Sequence, residues 1–165
     1  MVNDFIFRTV MLFTNIFPEI TPTLKLRGLL TKSCFRSCGK NLQITKDVRL
    51  YNCHNISFGN DVFLSSGAWV MASCNVTIED EVMLGPYSII ITGDHTKKDN
   101  SFRFGNAVRE PIKLGKGSWI ASHSVVTRGV TVGKGSLLAA CSVANKDIPD
   151  NSLYGGVPAK KIKEI

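Results

Sequence analysis

Apolar positions along this chain recur every six residues. From Leu114 the sequence divides into Leu114–Trp119, Ile120–Val125, Val126–Thr131, Val132–Leu137 and Leu138–Val143, each opening on an aliphatic residue. Carried backward, the same register gives apolar openings at Ile44, Leu50, Phe58, Leu64, Val70, Ile78, Leu84 and Ile90. Successive steps are six residues, except for two steps of eight, Leu50 to Phe58 and Val70 to Ile78. Two places before each opening sits a second regular position. It runs from Leu42, Val48, Ile56 and Val62 through Ala68, Val76, Val82 and Ser88 to Ile112, Ser118, Ser124, Val130 and Ser136.

A period of six matches neither the 3.6-residue turn of an α-helix nor the alternation of a simple sheet. It fits a coil of three short flat strands and three turns, each strand with its turn taking six residues. The aliphatic opening then points into a narrow triangular interior, and the position two before it lies near a corner where small or β-branched side chains fit. Backbone hydrogen bonds run from coil to coil, so each coil depends on its neighbours. The two eight-residue steps read as two-residue bulges at one corner. A stack of this kind leaves open sheet edges at both ends.

One interruption is larger. After Ile90 the next opening in register is Val108, so about a dozen extra residues leave the coil between 91 and 107. The segment is polar, carries no repeat and has His95 at its root. Long loops on a rigid scaffold are often where function sits. The chain divides on this reading into a helical cap over 1–40, the coil over 41–150 and a tail over 151–165.

The cap contains an apolar stretch, Phe5 to Phe17, interrupted by Arg8 and Asn15 and ended by Pro18. It is shorter than the roughly 20 apolar residues that a membrane span needs. It also lacks a basic leader and a small-residue cleavage site, so it is not read as a signal peptide. An amphipathic helix packing on the domain or on a neighbouring subunit is expected, with peripheral contact to a membrane surface as the other reading. A second helical stretch covers Thr23–Cys38.

The whole chain has 165 residues, 44% of them hydrophobic and 20% charged, which excludes a disordered tail or a coiled coil. The net charge of +7 favours an anionic partner. No basic run interleaved with aromatic residues is present, so nucleic acid is not expected as a partner. The five cysteines, Cys34, Cys38, Cys53, Cys74 and Cys141, form no pattern of zinc-binding pairs. They read as buried thiols of a reducing compartment, and with no leader they predict a cytoplasmic protein.

Several motifs together resemble the hexapeptide-repeat acyltransferases. They are Thr92-Gly93-Asp94-His95 with the extruded loop, Gly117-Ser118-Trp119-Ile120-Ala121-Ser122, Lys146-Asp147-Ile148-Pro149-Asp150-Asn151 and Gly155-Gly156-Val157-Pro158-Ala159-Lys160. The matching stretch runs from about Gln43 to Lys163. Within that family the chain is most similar to the galactoside, maltose and exopolysaccharide O-acetyltransferases, the Arg36-Ser37-Cys38-Gly39-Lys40 segment favouring the exopolysaccharide branch. The resemblance implies an all-β fold, a left-handed parallel β-helix with an N-terminal helical cap and an extruded loop. It also implies a homotrimer with its active sites between subunits.

The resemblance further implies that acetyl-CoA is the co-substrate, that no metal takes part, and that a sugar or glycan hydroxyl accepts the acetyl group directly. A hydroxyl is a poor nucleophile at neutral pH, and histidine, which ordinarily titrates near pH 6.5, is suited to take its proton. His95 matches the family's catalytic histidine, and Ser122 matches the backbone N–H that stabilises the developing oxyanion. Trp119 and Ala140 match positions beside the pantetheine arm, and Ala121 and Ser122 match cofactor-binding positions at the turn that supplies the oxyanion N–H. Asn145 and Lys146 match positions near the nucleotide, and Lys160 and Lys163 match basic positions facing the phosphates. Lysine there, in place of arginine, makes bidentate phosphate contacts less favourable. Asp94 and Arg103 are assigned to the acceptor side. Ala139 and Cys141 depart from the glycines common in the last coil.

Other readings keep the fold and change the role. The acceptor could be an antibiotic, a sugar amine or serine, although the extended helical domain of serine acetyltransferases has no counterpart here. Left-handed β-helices also form zinc-dependent carbonic anhydrases, which need three histidine ligands. His54, His95 and His123 are the only histidines, and they are not spaced for such a site. A catalytically inert β-helix serving as an assembly platform is the last alternative.

Overall fold

The computed structural model describes residues 2–165. From Ser37 onward the chain winds through three parallel sheets that form the faces of a triangular prism. The first face stacks Ser37–Cys38, Ile56–Phe58, Val76–Ile78, Ile112–Leu114 and Thr131–Val132. The second stacks Gln43–Ile44, Phe63–Leu64, Met83–Leu84, Trp119–Ile120 and Leu137–Leu138, and the third Arg49–Tyr51, Trp69–Met71, Ile89–Ile91, Val125–Val126 and Val143–Ala144. Within each face the pairing is in register one coil apart, as with Leu64 against Leu84 and Ile90 against Val126.

The six-residue rule has a direct physical origin in this prism. Every aliphatic opening from Ile44 to Leu138 is buried, with Val108 the single exception, and so is every position two before an opening. Three residues before the openings lies a third class, in the left-handed backbone region. Asn41, Asp47, Asp61, Glu81, Tyr87, His123 and Cys141 occupy it alongside Gly67, Gly117, Gly129 and Gly135. The strands of the second and third faces, and Thr131–Val132 of the first, thus enter from a sharp corner, and side chains at those corners accept a backbone strain of about 1–2 kcal/mol.

Val108 is not an inward opening. It pairs with Asp94 in an antiparallel hairpin outside the prism, and it is only half-buried. The coil resumes at Ile112, so twenty-four residues separate Ile90 from Leu114 where the same corner takes eight in the two coils below. Both bulges and the long excursion leave from this one corner, between the third and first faces. The register placed Val108 inside because an aliphatic residue happened to fall six before Leu114.

The cap comprises α1, Val2–Thr14, and α2, Thr21–Thr31, followed by a 3-10 turn at Lys32–Cys34. The second helix therefore ends earlier than expected, and Ser37–Cys38 already belongs to the first face. Phe7 of α1 packs on Phe35, and Phe35 packs edge-on against Phe58, which closes the open end of the interior. Gly28 lets α2 approach the first coil, because a Cβ there would lie 2.0 Å from the Leu42 carbonyl oxygen. Arg27 is fully buried and clamps the three parts together. It donates to the Thr14 carbonyl at 2.9 Å and the Ile44 carbonyl at 3.2 Å, and pairs with Glu19 at 2.7 Å. Removing one partner of such a pair would leave an uncompensated charge.

The C-terminal segment does not simply leave the coil. Ser152–Gly155 adds a parallel strand to the second face, and Lys160–Glu164 folds back antiparallel as its edge. The five cysteines are free thiols; Cys34 and Cys53 are buried, but Cys141 is exposed, unlike the buried thiols expected. Burial raises the pKa of Cys34, Cys38 and Cys53, so these thiols resist ionisation.

Candidate active site

The loop that bears His95 is rooted by a buried threonine. Thr92 donates through its backbone N–H and its hydroxyl to the Met71 carbonyl, at 3.2 and 3.1 Å, and its hydroxyl accepts from the Cys74 N–H at 3.2 Å. Its carbonyl accepts from the Glu110 N–H at 3.0 Å, which fastens the returning strand. Between these points Gly93–His95 pairs with Ala107–Arg109, and Thr96 continues the ladder by donating to the Asn106 carbonyl at 2.9 Å. His95 is exposed at the end of the strand, where the Asp94 carboxylate accepts from its backbone N–H at 2.7 Å.

Arg128 stands at the same corner one coil further on. Its Nη1 pairs with Glu110 on the returning strand, and its Nε lies 3.8 Å from Asp94 on the outgoing one. One guanidinium therefore ties both strands of the His95 hairpin to the rigid coil. The sequence reading missed Arg128 and Glu110. A signal for both was present, since counting in sixes assigns them to the corner from which the loop departs.

The candidate residues fall on two edges of the prism. Asp94, His95 and the Arg103 loop occupy the corner between the third and first faces, together with Asn145 and Lys146. Ser122 and Ala140 lie one coil apart in turns between the second and third faces, with Ala121 beside them. Trp119 is exposed on the second face, and Lys160 and Lys163 lie exposed on that face's last strand. A single chain therefore does not bring His95 to Ser122.

The turn at Ser122 has a specific polar character. Ala121 donates its N–H to the Leu138 carbonyl at 2.9 Å, and Cys141 donates to the Ser122 carbonyl at 3.0 Å. Among the described residues, the N–H groups of Ser122 and Ala140 donate to no protein acceptor. Two backbone donors, one coil apart, thus have no partner among those residues. Beside them His123 stacks on Tyr87, their ring centroids 5.2 Å apart. Among the described residues, no three His, Cys, Asp or Glu side chains are grouped so as to hold a metal ion.

Comparison with known proteins agrees with this geometry. No family model matches the chain. Galactoside O-acetyltransferase of Escherichia coli (strain K12) is 32% identical over 139 residues, which are 84% of this chain and 68% of that protein. The chain belongs to the hexapeptide-repeat acetyltransferases. Its coil is accordingly the left-handed β-helix of that family, and it is an acetyltransferase. Among solved structures, a galactoside acetyltransferase in complex with coenzyme A superposes with a TM-score of 0.86 at 29% identity, covering 99% of this chain and 81% of that one. A maltose O-acetyltransferase from Clostridium difficile 630 gives the same TM-score at 27% identity, covering 99% and 87%.

Proposed function

We infer that this acetyltransferase moves the acetyl group of acetyl-CoA to a hydroxyl of a sugar or of a polysaccharide unit, by direct transfer between two bound substrates. The observation that carries the reading is the division of the site between two prism edges. His95 stands on one edge, and the free N–H groups of Ser122 and Ala140 stand on another. A homotrimer with cyclic symmetry sets the first edge of one subunit against the second edge of the next, and so forms three equivalent clefts.

The residues present suit acetyl-CoA. The pantetheine arm carries amides, which match the N–H group of Ala140, and its apolar length suits the exposed Trp119 ring. Lys160 and Lys163 on one edge, and Asn145 and Lys146 on the other, offer charge and hydrogen bonds to the nucleotide phosphates. Asp94 and Arg103 face the acceptor from the loop.

In the reaction the acceptor oxygen forms a bond to the acetyl carbonyl carbon as its proton passes to His95. Charge gathers on the carbonyl oxygen, where the Ser122 N–H donates to it. The carbon–sulfur bond then breaks, and the proton held by His95 goes to the departing thiolate. General-base help of this kind contributes about 10²–10⁴ in rate, and one oxyanion donor about 10²–10³. The galactoside and maltose enzymes among the relatives favour a sugar hydroxyl over an amine or serine.

The test is thiol release from acetyl-CoA across a panel of sugars, oligosaccharides and amines, with mass analysis and alkaline treatment of the product. An alkali-labile acetyl ester on a saccharide is expected. Acetyl transfer to amines alone would overturn the assignment of the acceptor while leaving the acetyltransferase intact.

A further inference from the structure

The N-terminal cap has two apolar sides. One side of α1 turns Phe7, Met11 and Thr14 into the molecule. At 100° per residue, Val2, Phe5, Leu12 and Phe13 lie on the opposite side, and they are between 68% and 72% exposed. Asn3, Asp4 and Arg8 lie between the two sides and Thr9 is the one polar residue within the outward one, so the helix turns a second, largely apolar side to solvent. Helix α2 also carries an outward leucine, Leu29, which is 70% exposed. Exposed apolar surface concentrated in this way marks an interaction site.

Basic residues outnumber acidic ones around this surface: beside Leu12 of α1, Arg8 and Arg49 stand with one acid, Asp47, and the groove beside α2 has lysines as its only charged residues. Lys25 and Lys32 flank Leu29 on the outward side of α2. With Lys40 these residues line a groove of about 360 Å³ against Gly28 and Leu42, and no acidic residue lines it. Both acidic residues of the cap are turned to the coil. Asp4 accepts the N–H groups of Asn52 and Cys53 at 2.8 Å each. Glu19 pairs with Arg27 and accepts the Lys46 N–H at 3.0 Å.

We propose that the cap docks the enzyme on an anionic lipid bilayer. The outward side chains of α1 enter the boundary between headgroups and acyl chains, and the groove of Lys25, Lys32 and Lys40 takes lipid phosphates. A short apolar face and a cluster of cations are the paired signals that together hold a protein at such a surface. A second copy meeting this face about a two-fold axis would set lysine against lysine, with the acidic residues already engaged. The proposal is independent of the acceptor, because none of these residues belongs to the active-site edges.

The experiment is flotation of the full chain with vesicles of phosphatidylcholine alone and of phosphatidylcholine mixed with phosphatidylglycerol. Binding is expected on the mixed vesicles, falling with added salt. Neutralising lysines (Lys25→Gln, Lys32→Gln, Lys40→Gln) is expected to weaken it about fivefold for each. The Phe5→Ser, Phe13→Ser double variant is expected to lose vesicle binding while keeping its circular dichroism melt and its turnover of a soluble acceptor. Failure of the wild-type chain to float would overturn the proposal. If light scattering then showed a larger assembly that the double variant dissolves, a second copy of the chain would be the occupant.

Discussion

The coils from Leu114 to Ala144 and the excursion from Ile91 to Arg109 are built on opposite terms. In the coils every strand pairs with the strand one coil earlier, and the inward side chains are shut away from water. The excursion has only its own hairpin, the Thr92 root and the Arg128 tie, and it holds Phe102 and Phe104 out, 63% and 70% exposed. Stability belongs to the part that repeats, and the chemistry rides on the part that breaks the repeat. The loop can vary without unfolding the prism, and the prism fixes where the root of the loop stands.

Four substitutions sharpen or break that contrast. Leu84→Ala removes an inward side chain and is expected to cost about 2–5 kcal/mol in denaturant unfolding, while His95 chemistry persists in the folded fraction. Replacing residues 96–106 by an Asn-Gly turn between the paired residues His95 and Ala107 respects hairpin geometry. It is expected to leave the melting temperature unchanged and to lower turnover by about 10², because the cleft loses its positioning wall. A large fall in melting temperature would show that the loop supports the coil after all.

Arg128→Met cuts the tie between the two hairpin strands and the coil. A fall of about tenfold in kcat is expected from a looser His95, with the KM for acetyl-CoA unchanged in steady-state kinetics. The smallest effect is expected from Cys141→Gly. It relieves the left-handed strain at φ 57°, worth about 1–2 kcal/mol, but gives back about 0.4–1 kcal/mol through the freer unfolded chain. The net gain of about 0.8 kcal/mol raises the melting temperature by about 2–3 °C.

Much of the prism could be read from the chain because its rule is local. Each six-residue unit carries its own inward aliphatic, its own small or β-branched corner and its own turn, so counting located thirteen openings that are buried in the structure. The rule failed where the chain left the coil. Val108 satisfied the pattern by coincidence, and nothing in the period of six distinguishes an inward valine from one in an external hairpin. The return of residues 152–164 onto the second face was also hidden, since an antiparallel edge strand obeys a different alternation.

The site was legible residue by residue but not as an arrangement. Thr92 to His95 and Trp119 to Ser122 stood out as motifs, yet their separation onto two edges follows only from which face each strand joins. The Arg128 link to Glu110 and Asp94 spans eighteen residues or more of sequence and depends on stacking between coils. The doubly apolar α1 was readable as a helix, but which side packs on the coil depends on Phe35 and Phe58, far along the chain.

The central claim is that His95, carried on the extruded corner, takes the proton of the acceptor. It is tested most directly by pairing calorimetric acetyl-CoA binding with turnover for wild type and His95→Ala. Unchanged acetyl-CoA binding with turnover reduced by about 10² or more is the predicted result. Turnover that survives the substitution, with acetyl-CoA bound as before, would contradict it.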